Sequence, residues 1–262
     1  MKLLTLNCHS WQEENQLEKI RIIAEVIKEK SYDVIALQEV SQLIDESLVN
    51  DKIKANNFAL ILLNELNELG ISDYKMVWDF SHIGYDIYEE GIAILTKHNI
   101  VNNHSFFISQ SKDINYWKTR KIVGASIDID GQLMDFYSCH LGWWDDTEEP
   151  FKYQVDCLFK NILFDKPTFF MGDFNNNAFI KNAGYDYLIN KGLYDTFYLA
   201  KQKDNGITVK GKIDGWDLNK NDMRLDLILT NQKMNIDSSY VIFNGKNNEV
   251  VSDHYGVEIE IK

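Results

Sequence analysis

The run DVIALQEV at 33–40 has no polar face. A continuous apolar run of this length is typical of a strand buried on both sides, so the chain must lay apolar material over each of its faces. PTFFMGDF at 167–174 makes the same demand. Further strands are expected at 2–7, 74–80, 91–97, 122–130, 132–141, 225–231, 239–244 and 255–262, with Asp130-Gly131 as a hairpin turn between two of them. Apolar residues recur at helical spacing over 15–30, through Leu17, Ile20, Ile23, Ala24 and Ile27. Further helices are expected over 57–69, ended by Gly70, over 151–163 and near 180–191. The acidic stretch DDTEEP at 145–150 reads as charge complementing a helix N-terminus, with Pro150 in the first turn. Strands outnumber helices, and no repeat, low-complexity tract or linker interrupts them. The expected fold is an α/β (α+β) arrangement, two packed mixed sheets with helices outside, in a single domain over 1–262.

The formal net charge is −13 and the pI about 4.9. Such a surface repels phosphate backbones, so neither nucleic acid nor an anionic membrane is an expected partner, although a local basic cleft can sit on an acidic body. Three cysteines, Cys8, Cys139 and Cys157, show no metal-ligand spacing and read as reduced thiols. The opening MKLLTLNCHSW turns polar too soon for a signal peptide, and no apolar run reaches membrane-spanning length. A cytoplasmic, monomeric protein is the expectation.

Several strands end on residues that a core does not select. Asn7 ends the first, Glu39 stands in ALQEV, Glu90 opens EGIAIL, and His140 ends DFYSCHL. Asp173 and Asn175 end FFMGDFN, Asp226 lies inside RLDLIL, and Asp253-His254 precede the last strand. Each alone has a plain structural explanation: a turn for GDFN and Asn7, an exposed strand end for Glu39, a satisfied ring for His140, a loop pair for Asp253-His254. Asp226 between two leucines is harder to place, because a buried carboxylate is costly unless paired. In an extended chain Asp173 and Asn175, two positions apart, would point the same way. Strand ends share one rim of a layered fold, so these groups can share one cleft. Glu39 and Asn7 offer the oxygen ligands that a hard cation prefers. His254 can handle a proton with Asp226 orienting its ring. Asp173 can align or deprotonate a water, while His140 and Asn175 can donate hydrogen bonds to an oxyanion. Together they suit phosphoryl transfer to water.

The markers LN at 6–7, QEV at 38–40, SCHL at 138–141, GDFN at 172–175, RLDLIL at 224–229 and SDH at 252–254 resemble the endonuclease/exonuclease/phosphatase superfamily with the DNase I-like fold. The resemblance implies a four-layered sandwich and a divalent metal, usually Mg2+, with Mn2+ as the alternative. By that likeness Glu39 and Asn7 are metal-binding residues and Asp253 an acid beside the metal. Asp173 and Asn175 handle water and phosphate, His140 and His254 are the active-site histidines, Asp226 partners His254, and Glu90 is a further acid. Some nucleases of the superfamily carry an acid where this chain has His9, a departure that bears on a second metal position.

Finer stretches, HSWQEENQ (9–16), 78–97, YWKTRKIV (116–123), CHLGWWDD (139–146) and 211–231, resemble the bacterial maltose 6'-phosphate phosphatases. The implied partner is a small phosphorylated sugar. Trp143 and Trp144, just after His140, could form a platform for a sugar ring or simply pack; Trp117 and Trp216 stand in expected loops. Arg120 could clamp a phosphate or belong to a solvated face. Tyr85 could contact substrate or pack in a turn. The rival activities are a nuclease or a phosphodiesterase, including a sphingomyelinase-like one; the rival class is an inactive binding module.

Overall fold

The computed structural model describes residues 1–262. Along the chain, β1 (Lys2–Asn7) and α1 (Gln16–Lys30) lead to β2 (Val34–Leu43). A short ribbon, β3 (Leu48–Asn50) and β4 (Ile53–Lys54), precedes α2 (Phe58–Glu68). Then come β5 (Lys75–Gly84), β6 (Tyr88–Thr96), β7 (Asn99–Phe107), β8 (Lys121–Ile129) and β9 (Gln132–His140). After α3 (Phe151–Lys160), β10 (Thr168–Asp173) and α4 (Gly184–Asn190) come β11 (Tyr194–Asp195), α5 (Thr196–Leu199) and β12 (Gln202–Lys203). The chain closes with β13 (Val209–Lys210), β14 (Asp222–Met223), β15 (Asp226–Thr230), β16 (Ile236–Ile242) and β17 (Gly256–Ile261).

Two mixed sheets result, one in the order β12-β16-β17-β1-β2-β6-β5 and the other β11-β15-β10-β9-β8-β7. Leu3, Val34, Ala36 and Ile94 of the first sheet meet Val123, Phe136, Phe169 and Met171 of the second in a central apolar layer. The outer face of the first sheet is covered by α1 and α2, through Ile20, Ile27, Phe58 and Leu62. That of the second is covered by α3 and α4, through Phe151, Val155, Leu158 and Leu188. The layers are therefore helix, sheet, sheet, helix. Both faces of β2 are covered, as its apolar run requires.

Some expectations need correction. Leu17 is 63% exposed, and the buried stripe of α1 runs through Ile20, Ile23, Ala24 and Ile27 instead. Pro150 is the residue preceding α3, and no acid lies in the first turn of that helix. The acids of 145–150 tie loops together. Glu149 accepts from the backbone N–H groups of Gln110 (2.6 Å) and Ser111 (2.7 Å), and Asp146 pairs with Lys118 at 2.8 Å. β7 lies outside the strands expected from the sequence; it is an edge strand, polar and largely exposed.

Two local constraints position the strand ends. Gly172 has φ +152°, and a Cβ there would lie 1.9 Å from the Cys139 carbonyl oxygen, so β9 and β10 approach as closely as they do only because this residue has no side chain. At the edge of the two sheets, Asp79 of β5 binds Lys52 (2.7 Å), Lys121 (2.9 Å) and Ser105, so one carboxylate joins β5 to β7 and β8. Burial works to raise the Asp79 carboxyl, but these hydrogen bonds outweigh it and hold it below its ordinary range.

Gly172→Ala should cost about 3 kcal/mol, because backbone must move to admit the methyl group; chemical denaturation measures it. Since the Asp79 carboxyl is depressed in the native state, its contribution is present above the ordinary Asp pKa of about 3.9 and is lost as pH falls through the lowered native value. Asp79→Asn should therefore lower stability by about 2 kcal/mol at pH 7 and much less near pH 2, read by denaturant titration at both.

Candidate active site

Strand register brings the polar residues together. Asp173 at the end of β10 lies opposite His140 in the parallel strand β9 and opposite Asp226 in the antiparallel strand β15. In the other sheet Asn7 ends β1 beside Gln38 of β2. The β2–β6 register then shifts between Leu37 and Val40, and Glu39 takes a left-handed conformation (φ +51°) within that bulge. A bulge turns a side chain away from its regular direction, and here it turns Glu39 into the cleft. A cavity of about 370 Å³ opens over these ends, lined among others by Glu39, Glu90, His140, Asp173, Asn175, Asp253 and His254.

Asp226 is fully buried and accepts from His254 Nδ1 at 2.9 Å, which leaves Nε2 facing Asp173 at 3.8 Å. Burial opposes charge on His254, but Asp226 and Asp173 override it and raise its pKa well above the usual value. His140 is the opposite case. Burial, with the nearby charges of Arg120, His82 and His254, holds it well below the usual value, so its ring is neutral. Its Nε2 lies 3.7 Å from Asp173. Asp173 itself is raised to about 6, first by burial and then by Asp226, against the pull of His254.

The GDFN turn departs from the expected geometry. Asn175 has φ +48° and is not the next residue of an extended strand. Asp173 and Asn175 reach the same cavity through a turn in which Asp173 Oδ1 accepts from the Asn175 backbone N–H at 2.8 Å. The Asn175 side chain donates to the Leu141 carbonyl (3.0 Å) and accepts from the indole N–H of Trp216 (2.9 Å).

The first sheet supplies an acidic half. Glu39 accepts from Asn7 Nδ2 at 2.7 Å, and its carboxyl is pushed up to about 8 by desolvation and by the neighbouring charges of Glu90 and Asp253. Three carboxylates that repel one another around open space suit a hard divalent cation, which would relieve the repulsion. Asn7 turns its Nδ2 to Glu39 and to Asp173 (3.3 Å), while its Oδ1 accepts from the His9 backbone N–H, so its oxygen faces away from the carboxylates. His9 stands beside Asp253 (3.7 Å) and hydrogen-bonds Glu13 at 2.7 Å. Burial opposes its charge, yet Glu13 and Asp253 push it up to about 9.

On the far side Arg120 is buried, not solvated, and its guanidinium lies 5.9 Å from the Trp143 ring centre. It donates to the Trp117 carbonyl at 2.8 Å, and its Nε has no partner. Trp143 and Trp117 meet edge to face at 5.8 Å and both line the cavity. Trp144 does not. It packs on Phe151 and Tyr187 behind the sheet, because successive residues of this loop point to opposite sides. Tyr85 lines the cavity and donates to Asp214 at 2.7 Å. His82, Asp214 and Asp217 also line it and were missed from sequence. The signal for the acids was GKIDGWD, two of them around a Gly-Trp pair in a loop; His82 sat unmarked within a strand pattern.

A helix–sheet–sheet–helix sandwich whose strand ends gather acids, amides and imidazoles has the donor set that metal-assisted hydrolysis uses. The model described as the Endonuclease/Exonuclease/phosphatase family matches residues 4–254, and the chain belongs to this family of hydrolases, whose members generally use a divalent metal. An endonuclease/exonuclease/phosphatase family protein from Leptotrichia buccalis C-1013-b is 41% identical, superposes with a TM-score of 0.94, and matches over 100% of this chain and 99% of its own. A mannosyl-6-phosphatase from Bacteroides thetaiotaomicron VPI-5482 is 18% identical (TM-score 0.70; 100% of this chain, 99% of that one). Truncated Caenorhabditis elegans TDP2 is 16% identical (TM-score 0.64; 98% and 95%). No curated protein matches the sequence. No helix is long and apolar enough to cross a membrane.

Because Asp226 is one of the charges that raise His254, Asp226→Asn should lower the His254 pKa. In the metal-free protein, imidazole NMR should show His254 losing its proton at a lower pH in the variant than in the wild type; an unmoved titration would refute the coupling.

Proposed function

We propose that the protein is a Mg2+-dependent phosphomonoesterase that hydrolyses a sugar phosphate, with maltose 6'-phosphate as its substrate and 1–262 as one catalytic domain. The observation that carries this reading is the cavity's division into two unlike walls. One wall gathers the acids and imidazoles at the strand ends; the other is made by Trp117, Trp143 and Tyr85 with Asp214 and Asp217. Aromatic faces suit the apolar C–H surfaces of a sugar ring, and carboxylates accept its hydroxyl protons. The same carboxylates repel the flanking phosphates of a nucleic-acid strand, and one buried arginine matches one phosphate. A protein named as a mannosyl-6-phosphatase shares this fold, which supports a sugar phosphate as the substrate class.

Glu39 and Asp253 would hold Mg2+, with the Asn7 oxygen available if its amide turns over. When bound, the cation neutralises phosphate charge and polarises the phosphoryl group. Arg120 binds a phosphate oxygen through the part of its guanidinium not engaged by Trp117. Asp173 aligns the attacking water. Its carboxyl is ionised at neutral pH while His254 is already charged, so Asp173 takes the proton and His254 donates to the developing charge. The neutral ring of His140 and the free N–H of Asn175 add hydrogen bonds to the phosphoryl oxygens. Glu90 stands beside His82 (3.5 Å) at the junction of the two walls.

Phosphate release with Mg2+ should be fastest from maltose 6'-phosphate, slower from trehalose 6-phosphate and glucose 6-phosphate, and abolished by chelator, with plasmid DNA left intact by the same preparation. Nicked plasmid without phosphate release would place the protein with the nucleases instead. Asp173→Ala should lower kcat by about a thousandfold or more, given the usual worth of a proton-transfer group together with a charge-stabilising one. Near-native turnover of that variant would refute the assignment.

A further inference from the structure

The loop between β13 and β14 touches the site at three points. Asp214 accepts from Tyr85, as described above. The Gly215 backbone (φ +73°) lies so close to Trp143 that a Cβ would sit 2.7 Å from the ring. Trp216 seats its ring on Val209, Ile213, Met223 and Leu225 and donates its indole N–H to Asn175 Oδ1.

The chemistry of that contact settles which way the Asn175 amide faces. An indole nitrogen only donates, so the atom opposite it is the amide oxygen. A backbone carbonyl only accepts, so the atom facing Leu141 is the amide nitrogen. The oxygen and one N–H are thereby taken up, and a single N–H remains for the cavity. Were the amide to turn over, its oxygen would face incoming phosphate, and acceptor would meet acceptor.

We propose that Trp216 is a positioning residue: it locks the Asn175 amide so that its one free N–H faces the phosphoryl oxygens, and the loop that forms the leaving-group wall thereby also holds a donor of the phosphate site. This rests on the reading that Asn175 donates to the phosphate. The arrangement gives the loop a role beyond binding. A leaving group seated against Trp143 and Asp214 steadies the same loop that carries Trp216, so its binding energy can be expressed in kcat and not only in KM.

The test compares wild type, Trp216→Phe, Asn175→Ala and the double variant. With Mg2+ and maltose 6'-phosphate, Trp216→Phe should lower kcat about tenfold, the scale of a lost donor alignment, with KM changed less than about twofold. In the Asn175→Ala background it should have little further effect. Independent, multiplicative losses from the two single changes would overturn the proposal. The Trp216 indole N–H signal in the NMR spectrum should shift in Asn175→Ala without any substrate; an unmoved signal overturns the proposal even if turnover falls. Should wild type release no phosphate from any monoester, the functional reading fails, while the indole signal still reports on the contact itself.

Discussion

The pairing of β10 with β9 is the constraint on which the site depends. It is a parallel pairing, and it brings Asp173 level with His140. It closes to its observed spacing because Gly172 presents no side chain to the Cys139 carbonyl. The antiparallel partner β15 on the other side sets Asp226 at the same level. Three residues far apart in sequence thus lie in one row across three strands, and a slip of one residue in either pairing would send alternate side chains into the core. The apolar layers on both faces of the sheet prevent that slip, so core packing and site geometry are one requirement.

Charge is the second organising feature. The site concentrates carboxylates where desolvation penalises them, and each is answered differently. Asp226 is answered by a charged imidazole. Asp173 lies between His254 and the neutral His140. Glu39 has the Asn7 amide and the charge of His9, which do not offset its burial, and it remains raised. A fold built for stability alone would place apolar residues at these positions. The incomplete compensation around Glu39 is the physical reason to expect a cation there, and the surplus of buried acid and imidazole at one rim is the physical reason to regard the rim as functional.

The outer wall obeys other rules. It is made from loops held by side-chain anchors: Glu149 on the backbone of Gln110 and Ser111, Asp146 on Lys118, Tyr85 on Asp214. These contacts fix where Trp117, Arg120 and Trp143 stand without placing them in regular elements. In the proposed reading, strand ends carry most of the chemistry and braced loops most of the recognition, with Arg120 and Trp216 as the points where the loops reach the strand ends.

The strands with strong apolar runs, the helices with an apolar stripe and the Asp130-Gly131 hairpin, whose two residues both take positive φ, were legible in the sequence because their signals are local. So were Asn7, Glu39, His140, Asp173, Asp226 and His254, each a polar residue where an apolar period ends or is broken. The edge strand β7 was not, because it pairs on one side only and needs no apolar face. Nor could local pattern show that Arg120 is buried, that Trp143 faces the cavity while Trp144 faces the core, or that Asn175 leaves the strand and takes its orientation from Trp216. The sequence by itself determined the layered sheets and the residue types at their rim, since hydrophobic period and polar interruption are properties of neighbouring residues. Only the tertiary structure decided which of those groups touch and which loops close over them, because contacts between distant segments depend on register, on a glycine's missing side chain and on loop anchors that leave no periodic trace.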